Sequence, residues 1–176
     1  MSLLLAARDD RLTSTRSGVA WREGWRWPGE TATFLAGLVK REAGPVLHVC
    51  AGSSRLGDVR VDMFHPGADV KADAFHLPFR SGTFGVVVSD PPFPNGDRGG
   101  WDYAARLRFV QECGRVVRRG GLFILHAPWL PRPTWAELEL PLHFREDVGH
   151  AFPKEPLMVS RWRRTIDPPG NLEKPA

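Results

Sequence analysis

The sequence predicts an α/β fold whose sheet is mostly parallel and closes with an antiparallel C-terminal strand. Three observations carry that expectation. Short Val-rich runs alternate with helical periods from Val46 onward, the pattern of strands joined by crossover segments. The run Val86-Val87-Val88 is apolar on both faces, as a strand covered on both sides must be. Two final runs, Leu142 to Val148 and Leu157 to Trp162, lie close enough in sequence to pair as antiparallel neighbours.

The elements follow in order. Residues 1–20 lack a clear period and read as a flexible arm, so the folded domain is set at 21–165 and a Pro- and Gly-rich flexible tail at 166–176. Pro28 stands where a helix can start. Phe34, Leu35, Leu38 and Val39 share one helical face, and Gly44-Pro45 ends the run. Val46–Cys50, Val59–Asp62 and Val70–Asp73 are three short strands, and Phe84–Ser89 is the fourth. Tyr103, Leu107, Val110, Gly114 and Val117 are spaced as one face of a helix that Gly120-Gly121 closes. Leu122–His126 is the next strand, followed by a Pro-rich stretch with a short helix near Trp135 to Leu140. No internal repeat is present.

Composition narrows the class. The 176 residues suit one domain, and an apolar share of 42% supports a core. Lys plus Arg is 24 against 20 for Asp plus Glu, a net charge of +4, which suits a polyanionic partner without requiring one. Cys50 and Cys113 are too far apart for a zinc pair, the histidines have no ligand-like spacing, and no metal is expected. The cysteine usage points to a reducing, cytoplasmic setting. The apolar start at Met1 to Ala7 is too short for a membrane span or a signal peptide.

Chemistry gathers at the strand ends, where open α/β sheets bind ligands. The first strand runs into Ala51-Gly52-Ser53-Ser54, a turn small enough for close backbone approach to a ligand. Asp62, at the end of the second strand, can accept from ribose hydroxyls. Asp73, at the end of the third, can take an adenine amino group, with Ala74 or Phe75 beside the ring. The fourth strand runs into Asp90-Pro91-Pro92-Phe93. The Asp90 carboxylate and Pro91 carbonyl can hold the two N–H groups of an exocyclic amine. That favours a pyramidal nitrogen and meets the positive charge that develops on it. Pro91 and Pro92 stiffen the loop, and Phe93 offers a face on which an extruded base can stack.

From Val46 to Phe93 the chain resembles class I S-adenosylmethionine-dependent methyltransferases of the amino-methylating group, which carry Asp/Asn/Ser-Pro-Pro-aromatic. Asp73-Ala74-Phe75-His76-Leu77-Pro78-Phe79, followed by Ser81-Gly82-Thr83-Phe84, is similar to the segment leading into the fourth strand of many such enzymes. Trp27-Pro28-Gly29-Glu30 looks like their motif before the first strand. The resemblance covers about residues 27–126. It implies a Rossmann-like seven-strand sheet and S-adenosylmethionine as cofactor. Pro28, Cys50, Ala51, Gly52, Ser53, Asp62, Asp73, Ala74 and Phe75 would line the cofactor, and Asp90, Pro91, Pro92 and Phe93 the target amine. Two positions depart from the pattern: His48 replaces the early acid and Ser54 the second glycine. Gly52 to Asp62 spans 10 residues, so the helix after the first strand must shrink to about a turn, and the next is similarly short.

Trp21, Trp25 and Trp27 interleave with Arg22 and Arg26, and aromatic residues beside cations suit stacked bases and phosphates. Trp25, Trp27 and Trp129 are therefore expected to face substrate. Arg98 and Trp101 join them from a Gly-rich loop over 94–101 that can act as a lid. Arg161-Trp162-Arg163-Arg164 is a second basic patch. The resulting expectation is methyl transfer to adenine N6, cytosine N4 or guanine N2 in DNA or RNA. The protein would act as a monomer or homodimer, with scope for a further specificity subunit. Competing readings are N-methylation of a protein or small-molecule amine or amide, and a non-catalytic binding subunit of the same fold.

Overall fold

A computed structural model describes residues 27, 29–92, 101–145 and 157–168. The expected arm over residues 1–20 and the tail beyond Pro168 lie outside the described residues. The elements are α1 (Gly29–Val39), β1 (Val46–Val49), β2 (Val59–Val61), β3 (Phe84–Ser89), α2 (Tyr103–Val116), β4 (Val117–Ala127), β5 (Ala136–Arg145) and β6 (Leu157–Arg164). They build one six-stranded sheet in the order β2-β1-β3-β4-β6-β5. The β2, β1, β3 and β4 neighbours are parallel, and β6 returns antiparallel between β4 and β5.

Period-2 alternation divides the apolar side chains between two cores. On one face Val46, Val86, Val88, Leu122 and Ile124 pack with Leu35, Leu38 and Val39 of α1. On the other, Leu47, Val49, Val87, Phe123 and Leu125 pack with Phe109, Val110, Cys113 and Val116 of α2. Helix α2 starts on an Asp102 cap, whose carboxylate accepts the Ala105 amide at 2.7 Å. It presses so closely on Trp135 that a Cβ on Gly114 would lie 2.4 Å from the indole ring.

Several expectations need correction. The strand expected over Val70–Asp73 contracts to a single parallel bridge, Val61↔Val70, so among the described residues the sheet has six strands rather than seven. The helix expected near Trp135 to Leu140 is the start of β5. Ala136-Glu137-Leu138-Glu139 alternates as a strand does, with Glu139 on Arg161 and Arg163 of β6. Helix α2 ends at Val116 rather than at Gly120-Gly121, and β4 begins at once with Val117. Tyr103 and Leu107 stand exposed at 73% and 41%. The buried stripe runs instead through Ala105, Phe109, Val110 and Cys113. β5 covers 136–145 where Leu142–Val148 was expected, and residues 146–148 lie outside the described residues. At the other end Ile166 and Asp167 are exposed, but Pro168 is buried and Asp167 accepts from Arg164.

The crossovers, expected to keep about a turn of helix each, keep none: no helix forms anywhere between Val49 and Phe84. The segment before β3 is instead clamped by α2. Glu112 accepts the Leu77 amide at 2.7 Å, and buried Arg115 donates to the Leu77 and Phe79 carbonyls and to Glu112. That clamp fixes the loop carrying Asp73, Ala74 and Phe75. Among the described residues no helix is long and apolar enough to cross a membrane.

Candidate active site

Register brings the site together. Val49 of β1 pairs with Val61 of β2 and Ser89 of β3, and Ser89 pairs with Leu125 of β4. The residues that follow these four, Asp62, Cys50, Asp90 and His126, therefore lie at one level: the first three leave the sheet there, and His126 continues β4 opposite Val159 of β6. Ser89 ties the row down: its buried hydroxyl donates to the Val49 carbonyl at 2.9 Å.

The turn after β1 is tight. Cys50 and Gly52 adopt left-handed φ values of 60° and 51°, a conformation that favours glycine and is uncommon for cysteine. The Gly52 amide donates to Asp62 Oδ2 at 2.9 Å, and Asp62 Oδ1 accepts the Phe64 and His65 amides at 2.8 and 2.9 Å. A carboxylate has about four acceptor sites, and three are occupied here. The turn's own amides are likewise engaged: Ala51 N–H meets the Val61 carbonyl and Ser54 N–H the Ala51 carbonyl.

The electrostatics of this turn are negative. Burial pushes the Cys50 thiol up, and the charges of Asp62, Asp90 and Asp73 push it further, outweighing the opposing side-chain interaction with Ser89. Cys50 is thus an inert thiol that registers three carboxylates around it. Burial raises Asp73 too, but the Phe75 amide and the His76 ring, each at 3.0 Å, outweigh it and hold the carboxyl below its ordinary range. An acidic turn with engaged amides is unsuited to the pyrophosphate of a dinucleotide, which needs free N–H donors. It suits a ligand carrying positive charge, and the donor set fits a sulfonium nucleoside.

Asp90 is buried, 5% exposed, on the α1 side of the sheet, continuing the Val86 and Val88 alternation. Its Oδ1 lies 3.2 Å from Nδ1 of His126. The Trp27 indole N–H donates to the same Nδ1 at 3.2 Å. Trp27 also stacks on His48 at 4.5 Å and 7°. Trp27, expected on an open substrate patch, is therefore buried at 5% and lies beneath the strand-end row. His48 donates Nδ1–H to the Leu56 carbonyl at 3.2 Å, and its Nε2 has no partner among the described residues. Burial lowers its pKa to about 3, against a smaller opposing pull from Leu56 and Asp62.

On the α2 side a second group forms. The Phe75 and Trp101 rings meet at 4.6 Å, and Trp101 meets Phe109 at 4.8 Å. The Arg108 guanidinium lies over Phe75 and that of Arg106 over Trp129, at 5.5 and 5.4 Å. Trp101 and Trp129, both expected to face substrate, are half-buried here. Pro91 is buried and Pro92 exposed. Ala51, Gly52 and Ala74 are buried, with Ser53 half-buried. Pro28, Trp25, Phe93 and Arg98 lie outside the described residues. Sequence reading missed His126, Arg106 and Arg108. Only the strand register and the helix face bring them to this edge.

No protein-family model matches the chain, and no curated protein matches it. Solved structures do. A SAM-dependent methyltransferase from Methanosarcina mazei superposes with a TM-score of 0.52 at 12% identity, over 74% of this chain and 98% of that one. The 1,6-didemethyltoxoflavin-N1-methyltransferase of Burkholderia thailandensis, solved with 1,6-didemethyltoxoflavin and S-adenosylhomocysteine, gives 0.51 at 14% identity, over 77% of each chain. The chain has the Rossmann-like fold of these methyltransferases.

Proposed function

We propose that the protein is an S-adenosylmethionine-dependent N-methyltransferase acting on an exocyclic amino group of a nucleobase in DNA or RNA. The observation that carries this reading is the level row of strand ends, in which Asp90 stands next to the acidic turn of Cys50 and Gly52. S-adenosylmethionine, when bound, supplies an electrophilic methyl group. The acidic turn attracts its cationic end, Asp62 has one acceptor site left for a ribose hydroxyl, and Asp73 accepts from the adenine amino group. Ala74 and Phe75, held by the Glu112–Arg115 clamp, flank the adenine. Asp90 and the Pro91 carbonyl orient the target amine and stabilise the charge that builds on its nitrogen. Desolvation around Asp90 strengthens that effect.

A nucleic-acid target is supported by the net charge of +4 and by the arginine-capped aromatic groups at the carboxyl edge. The test is transfer of labelled methyl from S-adenosylmethionine to DNA, RNA, protein and small-amine pools in parallel, with the modified nucleoside identified by mass spectrometry. An N-methylated base is the expected product. Label confined to protein or small amines overturns the choice of substrate, and label in no pool overturns the activity.

A further inference from the structure

We infer that His126 is a positioning residue for Asp90, and that Trp27 competes with Asp90 for the same ring nitrogen. The positioning role rests on the methyltransferase reading above; the competition rests on geometry alone. Nδ1 of His126 lies 3.2 Å from Asp90 Oδ1 and 3.2 Å from Trp27 Nε1. A carboxylate can only accept and an indole N–H can only donate. One imidazole nitrogen cannot serve both. Protonated, Nδ1 donates to Asp90; bare, it accepts from Trp27. All three groups are enclosed: the His126 and Asp90 side chains are each 2% exposed and Trp27 is 5% exposed. Bulk water has little access to any of the three, and the choice of tautomer decides which of them the ring nitrogen serves.

In the Nδ1–H tautomer, His126 donates to Oδ1 and so helps to fix the orientation of the carboxylate. In the Nε2–H tautomer the ring presents a lone pair to Asp90 and the carboxylate loses that anchor. The Trp27 indole favours the second arrangement. It also connects the tautomer to the segment before α1, because its ring lies flat on His48 in the α1-side core.

Two experiments separate this inference from the reading beneath it. Nitrogen-15 NMR of the His126 ring reads the tautomer with no turnover. Wild type and Trp27→Phe are expected to carry the proton on Nδ1, and Asp90→Ala to move it to Nε2. A ring with bare Nδ1 in wild type, or one indifferent to residue 90, overturns the inference whether or not methyl transfer is found. In kinetics, His126→Leu is expected to lower kcat about 100-fold, the scale of losing a catalytic group's orientation, with cofactor affinity retained. His126→Asn, whose amide can donate from the same place, is expected to recover kcat to within about tenfold of wild type. Full kcat in His126→Leu, or no recovery in His126→Asn, shows that His126 orients nothing. Failure of wild type to methylate any pool, with the tautomer behaving as described, removes the proposed activity and leaves the Asp90–His126–Trp27 competition standing.

Discussion

The Gly52 amide donates to Asp62 Oδ2 across 2.9 Å, so the turn after β1 is built on the acid after β2. Removing that carboxylate alters two things at once: the charge offered to the ligand and the shape of the turn. Asp62→Ala also leaves the Phe64 and His65 amides without their acceptor. S-adenosylmethionine affinity is expected to fall by about 10- to 100-fold, on the scale of one or two hydrogen bonds to a charged group. Titration calorimetry checks it, and unchanged affinity would mean that the ribose lies elsewhere.

Asp90→Ala tests the other end of the row. The variant keeps the cofactor turn but loses one of the two acceptors for the amine. Methyl transfer is expected to drop by at least about 100-fold, with S-adenosylmethionine affinity retained. Single-turnover transfer measured beside calorimetry separates the two effects, and parallel losses would assign Asp90 to the cofactor instead.

His48 makes stability depend on pH. Its folded pKa is lowered to about 3 by burial, whereas the unfolded ring titrates near 6.5. Between those values the unfolded chain binds a proton that the native state refuses. Stability is therefore full above about pH 6.5 and falls as pH drops toward 3. The largest loss is on the order of 5 kcal/mol. Urea unfolding across that window should show a steeper decline in wild type than in His48→Asn, and matching slopes would dismiss the effect.

Glu42 acts in a lower window. The Arg163 hydrogen bond is the main reason its carboxyl sits below the ordinary value, with the Arg163 and Arg161 charges assisting against a smaller burial penalty. The stabilisation is present above the usual carboxylate range and is lost as pH falls through the lowered pKa. Glu42→Gln is expected to cost roughly 1 kcal/mol at pH 7 and nothing at pH 2. Thermal melts at the two pH values decide it.

Gly114→Ala should destabilise by about 1–3 kcal/mol, because the new methyl would meet the Trp135 ring 2.4 Å away. Gly37, where an added Cβ would find no atom within 4 Å, serves as the control: alanine there should be neutral or stabilising in a helix. Equal melting shifts for the two variants would refute the close α2–Trp135 packing.

What could be read from sequence followed the range of the interactions involved. Val86-Val87-Val88 announces a doubly covered strand because that property is local. Asp90-Pro91 announces an acceptor pair because its two oxygens are neighbours in the chain. Asp62 beside Gly52 could be placed from the order of strand ends alone. His126 could not, since its relation to Asp90 depends on Ser89 pairing with Leu125 across 36 residues. The interior position of Trp27 was hidden for a related reason: three tryptophans among arginines look like a surface patch until a histidine ring covers one. The helix expected near Trp135 failed because four alternating residues carry too little period to outweigh the pairing that β6 supplies.

The shared level of Asp62, Cys50, Asp90 and His126 also determines which changes of length the chain can absorb. The connecting loops can gain or lose residues while the four groups keep their places. A single insertion within β3 or β4 cannot be absorbed in this way. It would carry Asp90 or His126 through the sheet to the α2 side, so the fold could survive intact while its chemistry was dismantled.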